Sequence, residues 1–343
     1  MMAYFLSILK KRIPIIIALT ILFMIAAVTM NNTSSYITVA LENDSIIQIP
    51  KKGLFLVFAI EIIAVSIIVV LVEFSFKMNR IQAQQAYTFP IKREKLFLSR
   101  YLVGLFEIII PFTVSFFVSA LLVYNAETLY DSKYIFLYYP FALVALVLLY
   151  STMSFIYCRA NNILDGIVGI LLSVGAPLIL GASVQTILNN NGIQLLNSFY
   201  FCPLYLIDLP TKFVEARLIG EAFLFSYIEA GFYIFWVVVQ VAVIGFMSFF
   251  NKRTKIEDLT NTSNSLFVYK VFLPLSIICL TIFLSFYIKI GAIFVGLALT
   301  IAGYMLYERG NAFGNRHYSA PIVLIVSIVI GIVFCALEWG GVL

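Results

Sequence analysis

The sequence predicts an all-α, polytopic integral membrane protein, and three observations predict it. Its 343 residues are 62% hydrophobic and only 11% charged, against roughly 25% charged for a soluble domain. Its mean hydropathy is +1.04. Apolar runs reaching the roughly 20 residues that a bilayer crossing needs recur along the whole length, and the segments between them are too short to form a separate soluble domain.

The elements follow in order. Residues 1–8 are amphipathic and lead into Lys10, Lys11 and Arg12, which reads as an interfacial helix ahead of a first span at 13–30. The apolar run behind these residues is of span length and lacks a small-residue cleavage site, so a cleavable signal is not expected. A polar loop at 31–52 precedes the second span at 53–74. The third span is placed at 101–124, the fourth at 134–157 and the fifth at 163–188. Pro111 and Pro177 fall inside the third and fifth, where each removes a backbone hydrogen bond and favours a kink. Asp165, beside Asn161 and Asn162, reads as a cap of the fifth span. Residues 189–221 are too polar and Pro-rich to span but dense in aromatic residues, which favour the headgroup level; short helices dipping into the outer leaflet are expected there. A sixth span at 222–250 and three further apolar runs at 266–288, 291–307 and 321–337 complete a nine-span reading, in which Lys289 alone separates the seventh and eighth.

Orientation follows from the cations. With the N-terminus inside, the outer loops hold only Lys51, Lys52, Lys133, Lys212, Arg217 and Lys289 of the 22 Lys and Arg residues, a bias that favours a cytoplasmic N-terminus. The net charge of +5 is thereby explained by topology and gives no reason to invoke nucleic acid. A single histidine, His317, rules out a multi-His metal site. The four cysteines stand far apart with no C-x-x-C and read as packing residues. There is no phosphate-cradling G-x-x-x-x-G-K-[ST] and no G-x-S-x-G or H-E-x-x-H, so no catalytic residue is assigned and chemistry within the chain is not expected.

The largest inner surface is the basic, glutamine-rich stretch at 76–101, with Lys77, Arg80, Lys92, Arg93, Lys95 and Arg100. Residues 78–88 are helix-compatible, and Arg80, Gln84 and Tyr87 share one face at i, i+4 and i+7. Pro90 pushes Phe89 out of the helical region and ends that helix. A second helix then runs into the third span with Lys92, Lys95 and Ser99 along one side, while Arg100 is placed to snorkel to the headgroups. On charge alone this is an ordinary inner loop. The run Tyr87-Thr88-Phe89-Pro90-Ile91-Lys92-Arg93-Glu94-Lys95-Leu96-Phe97-Leu98-Ser99-Arg100-Tyr101-Leu102-Val103-Gly104, however, resembles the segment that follows the second span in ABC-2 type ABC-transporter permeases, and within that family the chain is most similar to Firmicute-type permeases linked to peptide antibiotics.

The resemblance covers roughly residues 1–255 and implies a six-span ABC-2-like core, with about three extra C-terminal spans in 256–343. It implies a coupling helix near 78–88 that docks on a separate cytoplasmic ABC ATPase dimer. Arg80, Gln84, Gln85, Tyr87, Lys92 and Arg93 would be the ATPase-coupling residues. ATP and Mg2+ would be bound by that partner, with no cofactor in this chain. A second permease, the same or homologous, would complete an exporter in the plasma membrane of a bacterium. The aromatic outer segment would suit an amphipathic, peptide-like or lipid-like substrate.

Three acids remain inside spans: Glu61, Glu107 and Glu229. Each would cost a few kcal/mol facing lipid, so each should face protein or water. They either line a translocation path or proton relay, or hydrogen-bond to neighbouring helices. No Lys or Arg is placed within a span to pair with them. An ion-coupled secondary transporter using Glu61 and Glu107 is the alternative function, although no inverted repeat is visible.

Overall fold

The computed structural model describes residues 2–33, 37–40, 46–49, 53–88, 91–124, 133–190, 198–218, 227–251, 271–288 and 291–308, with short helical pieces at 322–323, 325–329 and 332–333. In chain order these form α1 (Met2–Thr33), β1 (Ile37–Ala40), β2 (Ile46–Ile49), α2 (Gly53–Phe74), α3 (Arg80–Tyr87), α4 (Arg93–Tyr124), α5 (Lys133–Arg159), α6 (Ile163–Asn190), α7 (Tyr205–Leu218), α8 (Tyr227–Asn251), α9 (Leu273–Ile288) and α10 (Gly291–Glu308). Five helical stretches, Phe58–Met78, Arg93–Leu121, Ile135–Arg159, Ile163–Asn189 and Tyr227–Phe246, are long and apolar enough to cross a bilayer. The protein is therefore an α-helical membrane protein.

Two expectations give way at the N-terminal end. The interfacial helix and the first span are one helix, α1, which runs through Pro14 without a break. Proline forfeits a single backbone bond, and the apolar run behind it is long enough to carry the helix on. The loop at 31–52 is not wholly irregular. Its β-branched residues pair as an antiparallel hairpin in which Ile37 faces Ile49 and Val39 faces Ile47. Of the ninth run, 321–337, the described residues are 322–323, 325–329 and 332–333, and all of them are helical.

The chain divides into two compact units, each drawn from several segments. The first comprises residues 1–76, 84–155 and 206–254. Its core is built from stripes at heptad-like spacing: Phe58, Ile62, Val65 and Val69 on α2, with Ile108, Phe112 and Phe116 on α4. Their rings interlock, Phe58 lying 5.3 Å from Phe116 and 6.1 Å from Tyr138 of α5. At Gly104 a Cβ would overlap the Tyr150 hydroxyl and come within 3.2 Å of Val69, so the bare backbone lets α2, α4 and α5 approach.

The second unit comprises residues 77–83, 156–205 and 255–343. Here α9 and α10 are separate helices that fold back on each other, Gly296 facing Thr281 and Gly303 facing Leu273. Small residues at such contacts suit helix packing in lipid. Ser183 of α6 donates to the Cys279 carbonyl at 2.8 Å, and Lys77 donates to the Cys158 carbonyl at 3.4 Å. The α6 start is capped by Asn162 rather than by Asp165. The Asn162 side-chain oxygen accepts the Asp165 amide at 2.8 Å, and its amide group donates back to the Asp165 carboxylate at 3.0 Å. A short 3-10 turn, Ser198–Phe201, lies in the Pro-rich segment within this unit, while α7 from residue 206 onward belongs to the first. Cys158, Cys202 and Cys279 are free and buried, and burial pushes the Cys202 thiol up to about 12. They pack as small hydrophobes.

Candidate functional site

Three places in the chain combine exposure or buried charge with a defined geometry. The first is α3. Asn79 caps it, its side-chain oxygen accepting the Ile81 amide at 3.0 Å. Thr88 closes it, its hydroxyl donating to the Gln85 carbonyl at 2.7 Å. Capping at both ends explains how an eight-residue helix of modest propensity holds together. Ala83 and Ala86 are buried, while Ile81, Gln82, Gln84 and Gln85 are exposed. Tyr87 is half-buried beneath Arg93, whose guanidinium sits 4.8 Å over its ring. Lys92, at the start of α4, and Lys95 are exposed. The side chain of Arg80 lies outside the described residues. Of the predicted coupling residues, Gln84 and Gln85 thus share an exposed surface, and Tyr87 and Arg93 meet beside it. Ile81, at 67% exposure, adds an apolar side chain to that surface, an isoleucine among glutamines on a short polar helix.

The second place is a buried charge junction in the first unit. Glu73 closes α2, and Glu107 lies on α4; neither side chain has any exposure. Arg12 of α1 sets its Nε 2.5 Å from Glu73 and 3.6 Å from Glu107. Its terminal nitrogen also donates to the Val72 carbonyl at 3.2 Å. Arg100 of α4 lies 3.6 Å from the other Glu73 oxygen and 3.4 Å from the Glu73 carbonyl, with its guanidinium 4.2 Å over the Phe76 ring. Two guanidiniums thus face two carboxylates, which offsets the cost of burying each charge.

This corrects two expectations. Glu107 does have a cation, because α1 is continuous and its arginine reaches across from the neighbouring helix. Arg100 does not snorkel to the headgroups; it turns inward, onto a carboxylate and a ring that a water-facing position would lack. Ser99 likewise turns inward, donating to the Lys95 carbonyl at 2.7 Å.

The third place is Glu61 on α2. It is 4% exposed, and Ser115 of α4 donates to one of its oxygens at 3.1 Å. The other oxygen has no hydrogen-bond partner among the described residues. Phe58, one turn away on α2, packs on Phe112 and Phe116, which lie on either side of Ser115 in the α4 sequence. Glu61 and Glu107 are therefore not joined: one is served by a serine, the other by an arginine. Glu229 stands apart in the first turn of α8, partly exposed, where a carboxylate complements the positive helix end. Among the described residues no group of three or more His, Cys, Asp or Glu could hold a metal ion.

No protein-family model, no curated protein and no solved structure matches this chain.

Proposed function

We propose that the chain is the membrane permease subunit of an ATP-driven exporter of the ABC-2 type, coupled through α3 to a separate cytoplasmic ATPase dimer. The observation that carries the reading is α3 itself. It is a capped polar helix between two long apolar ones, presenting Ile81, Gln82, Gln84 and Gln85 outward on a buried footing of Ala83 and Ala86. A short helix so placed can take up a push and pass it to both flanking helices, and a two-state shift of packed helices is the physical content of such coupling. The likeness of residues 90–100 to the permease segment supports the same reading. ATP and Mg2+ belong to the partner, a second permease completes the pathway, and the N-terminus is cytoplasmic in the plasma membrane. The cargo is amphipathic, peptide-like or lipid-like.

Affinity purification of the chain from its native membrane tests this. A nucleotide-binding protein should come with it, and Gln84→Glu combined with Tyr87→Ala should abolish transport while leaving the chain folded. A chain that purifies alone and transports normally with both substitutions has no such coupling helix.

A second reading rests on Glu61. A buried carboxylate with one oxygen unpartnered is the kind of group an ion-coupled carrier uses. It predicts transport that needs an ion gradient and is lost in Glu61→Gln.

A further inference from the structure

We infer that Arg12 is the shared cation of the buried junction, serving Glu73 on one arm of the α2–α3–α4 hairpin and Glu107 on the other, and that it thereby positions the hairpin that carries α3. The role of α3 rests on the function proposed above; the sharing of Arg12 does not.

The hairpin is closed at its base without α1. Arg100, on one arm, grips the Glu73 carbonyl, the Glu73 carboxylate and the Phe76 ring of the other. What α1 adds is a single guanidinium that reaches both arms. It holds Glu73 at 2.5 Å and stands 3.6 Å from Glu107. The two acids are unequally served. Glu73 accepts a direct hydrogen bond from Arg12, whereas Glu107 receives none from Arg12 and has the Glu73 carboxyl group beside its own. Glu107 is thus a wholly buried acid with Arg12 at ion-pair distance and the Glu73 carboxyl group beside it, and a rotation of the same arginine would bring it a direct donor. Such a rotation keeps the guanidinium beside the two acids and carries no charge through an apolar region. An arginine suits the task because its planar fork carries several donors on one charge.

The test uses the whole chain in lipid nanodiscs, with no nucleotide and no partner present. Thermal unfolding is followed for Arg12→Gln in three backgrounds: the parent, Glu73→Gln, and Glu73→Gln with Glu107→Gln. Sharing predicts that Arg12→Gln lowers Tm by on the order of 5 °C in the parent. It should lower Tm by at least about half as much in Glu73→Gln, because Arg12 then serves Glu107, and by under about 1 °C when both acids are neutral. Arg12→Gln without effect in the Glu73→Gln background overturns the sharing. A spin label on Ile81→Cys, with Cys335 replaced by Ser, reads the positioning. Its motion should increase in Arg12→Gln and return to the parent value in Arg12→Lys; an unchanged spectrum in Arg12→Gln overturns the positioning role. Should Glu73→Gln not fold, Glu73→Asp, which keeps the charge but retracts it, serves as the background. A chain that never binds an ATPase leaves all these outcomes intact, so the two ideas fail separately.

Discussion

Helices α2 and α4 meet around two buried glutamate sites that share a residue type and little else. Glu73 is met by Arg12 and Arg100. Glu61, about 18 Å earlier on the same helix at 1.5 Å per residue, is met among the described residues by the Ser115 hydroxyl alone. Both side chains are withdrawn from solvent. The difference lies in what the neighbouring helices supply: charge in one place, a hydroxyl and aromatic rings in the other. A carboxylate held by two arginines is committed to holding helices together. A carboxylate with a free oxygen in a neutral shell retains binding capacity. Burial of an acid therefore does not by itself mark a transport site; the state of its partners does.

The largest effect should come from breaking the charged side of this comparison. Glu73→Gln leaves two part-buried guanidiniums with Glu107 as their remaining acid among the described residues, and removing one partner of a buried ion pair typically costs about 3–5 kcal/mol. Thermal or denaturant unfolding of the purified chain measures it. A loss under about 1 kcal/mol, the value of an exposed pair, would place the junction in contact with water and dissolve the contrast with Glu61.

The two sites also differ in how far the sequence disclosed them. Glu61 could be singled out because an acid inside a span is expensive wherever it points, and Glu107 for the same reason. Their partners could not. Arg12 and Glu73 stand 61 residues apart, a separation with no period, and an arginine at the edge of an apolar run looks like any interfacial anchor. Glu73 stands at the edge of its apolar run, where an acid calls for no partner. The helices were more legible: α2 begins and ends where its apolar run does, and α3 is set off by polar composition and by Pro90. Where local rules misled, a global feature overrode them. Pro14 signals a helix boundary, yet α1 continues through it. The β1–β2 hairpin was lost among polar neighbours because four-residue strands carry too short a pattern to stand out.

Between the two sites lies Gly104, where α2, α4 and α5 come closest. Gly104→Ala would set a methyl group against the Tyr150 hydroxyl and Val69. Tyr150 donates to the Tyr101 carbonyl at 3.3 Å, so it cannot withdraw without losing that bond. Overpacking of this kind should cost about 1–3 kcal/mol, read in the same unfolding assay. A neutral result would show that the helices shift easily here, and the two sites would then belong to a more pliable interface than their packing suggests.

On the uncharged side the effects should shrink. Ser115→Ala removes the hydroxyl that donates to Glu61 and strips the acid of its one hydrogen bond, a loss of about 1–3 kcal/mol for a buried polar group left unsatisfied. The value should fall below that of Glu73→Gln, because a hydroxyl and not a charge is lost.

Glu61→Gln should have the smallest effect on stability and is the sharpest test of the comparison. The amide keeps the shape of the side chain, and its oxygen can still accept from Ser115. No guanidinium is left stranded, because none of the described residues brings one to Glu61. The change in unfolding free energy should therefore stay within about 1 kcal/mol, and removal of a poorly compensated carboxylate could even raise it. Transport, measured beside stability, then separates the two readings of Glu61. Full transport in a stable Glu61→Gln variant makes the carboxyl a packing element with a spare oxygen. Lost transport at unchanged stability makes it the binding group of the pathway. A fall in stability as large as that of Glu73→Gln would mean that a cation reaches Glu61 after all, and the division between a paired and an unpaired site would no longer hold.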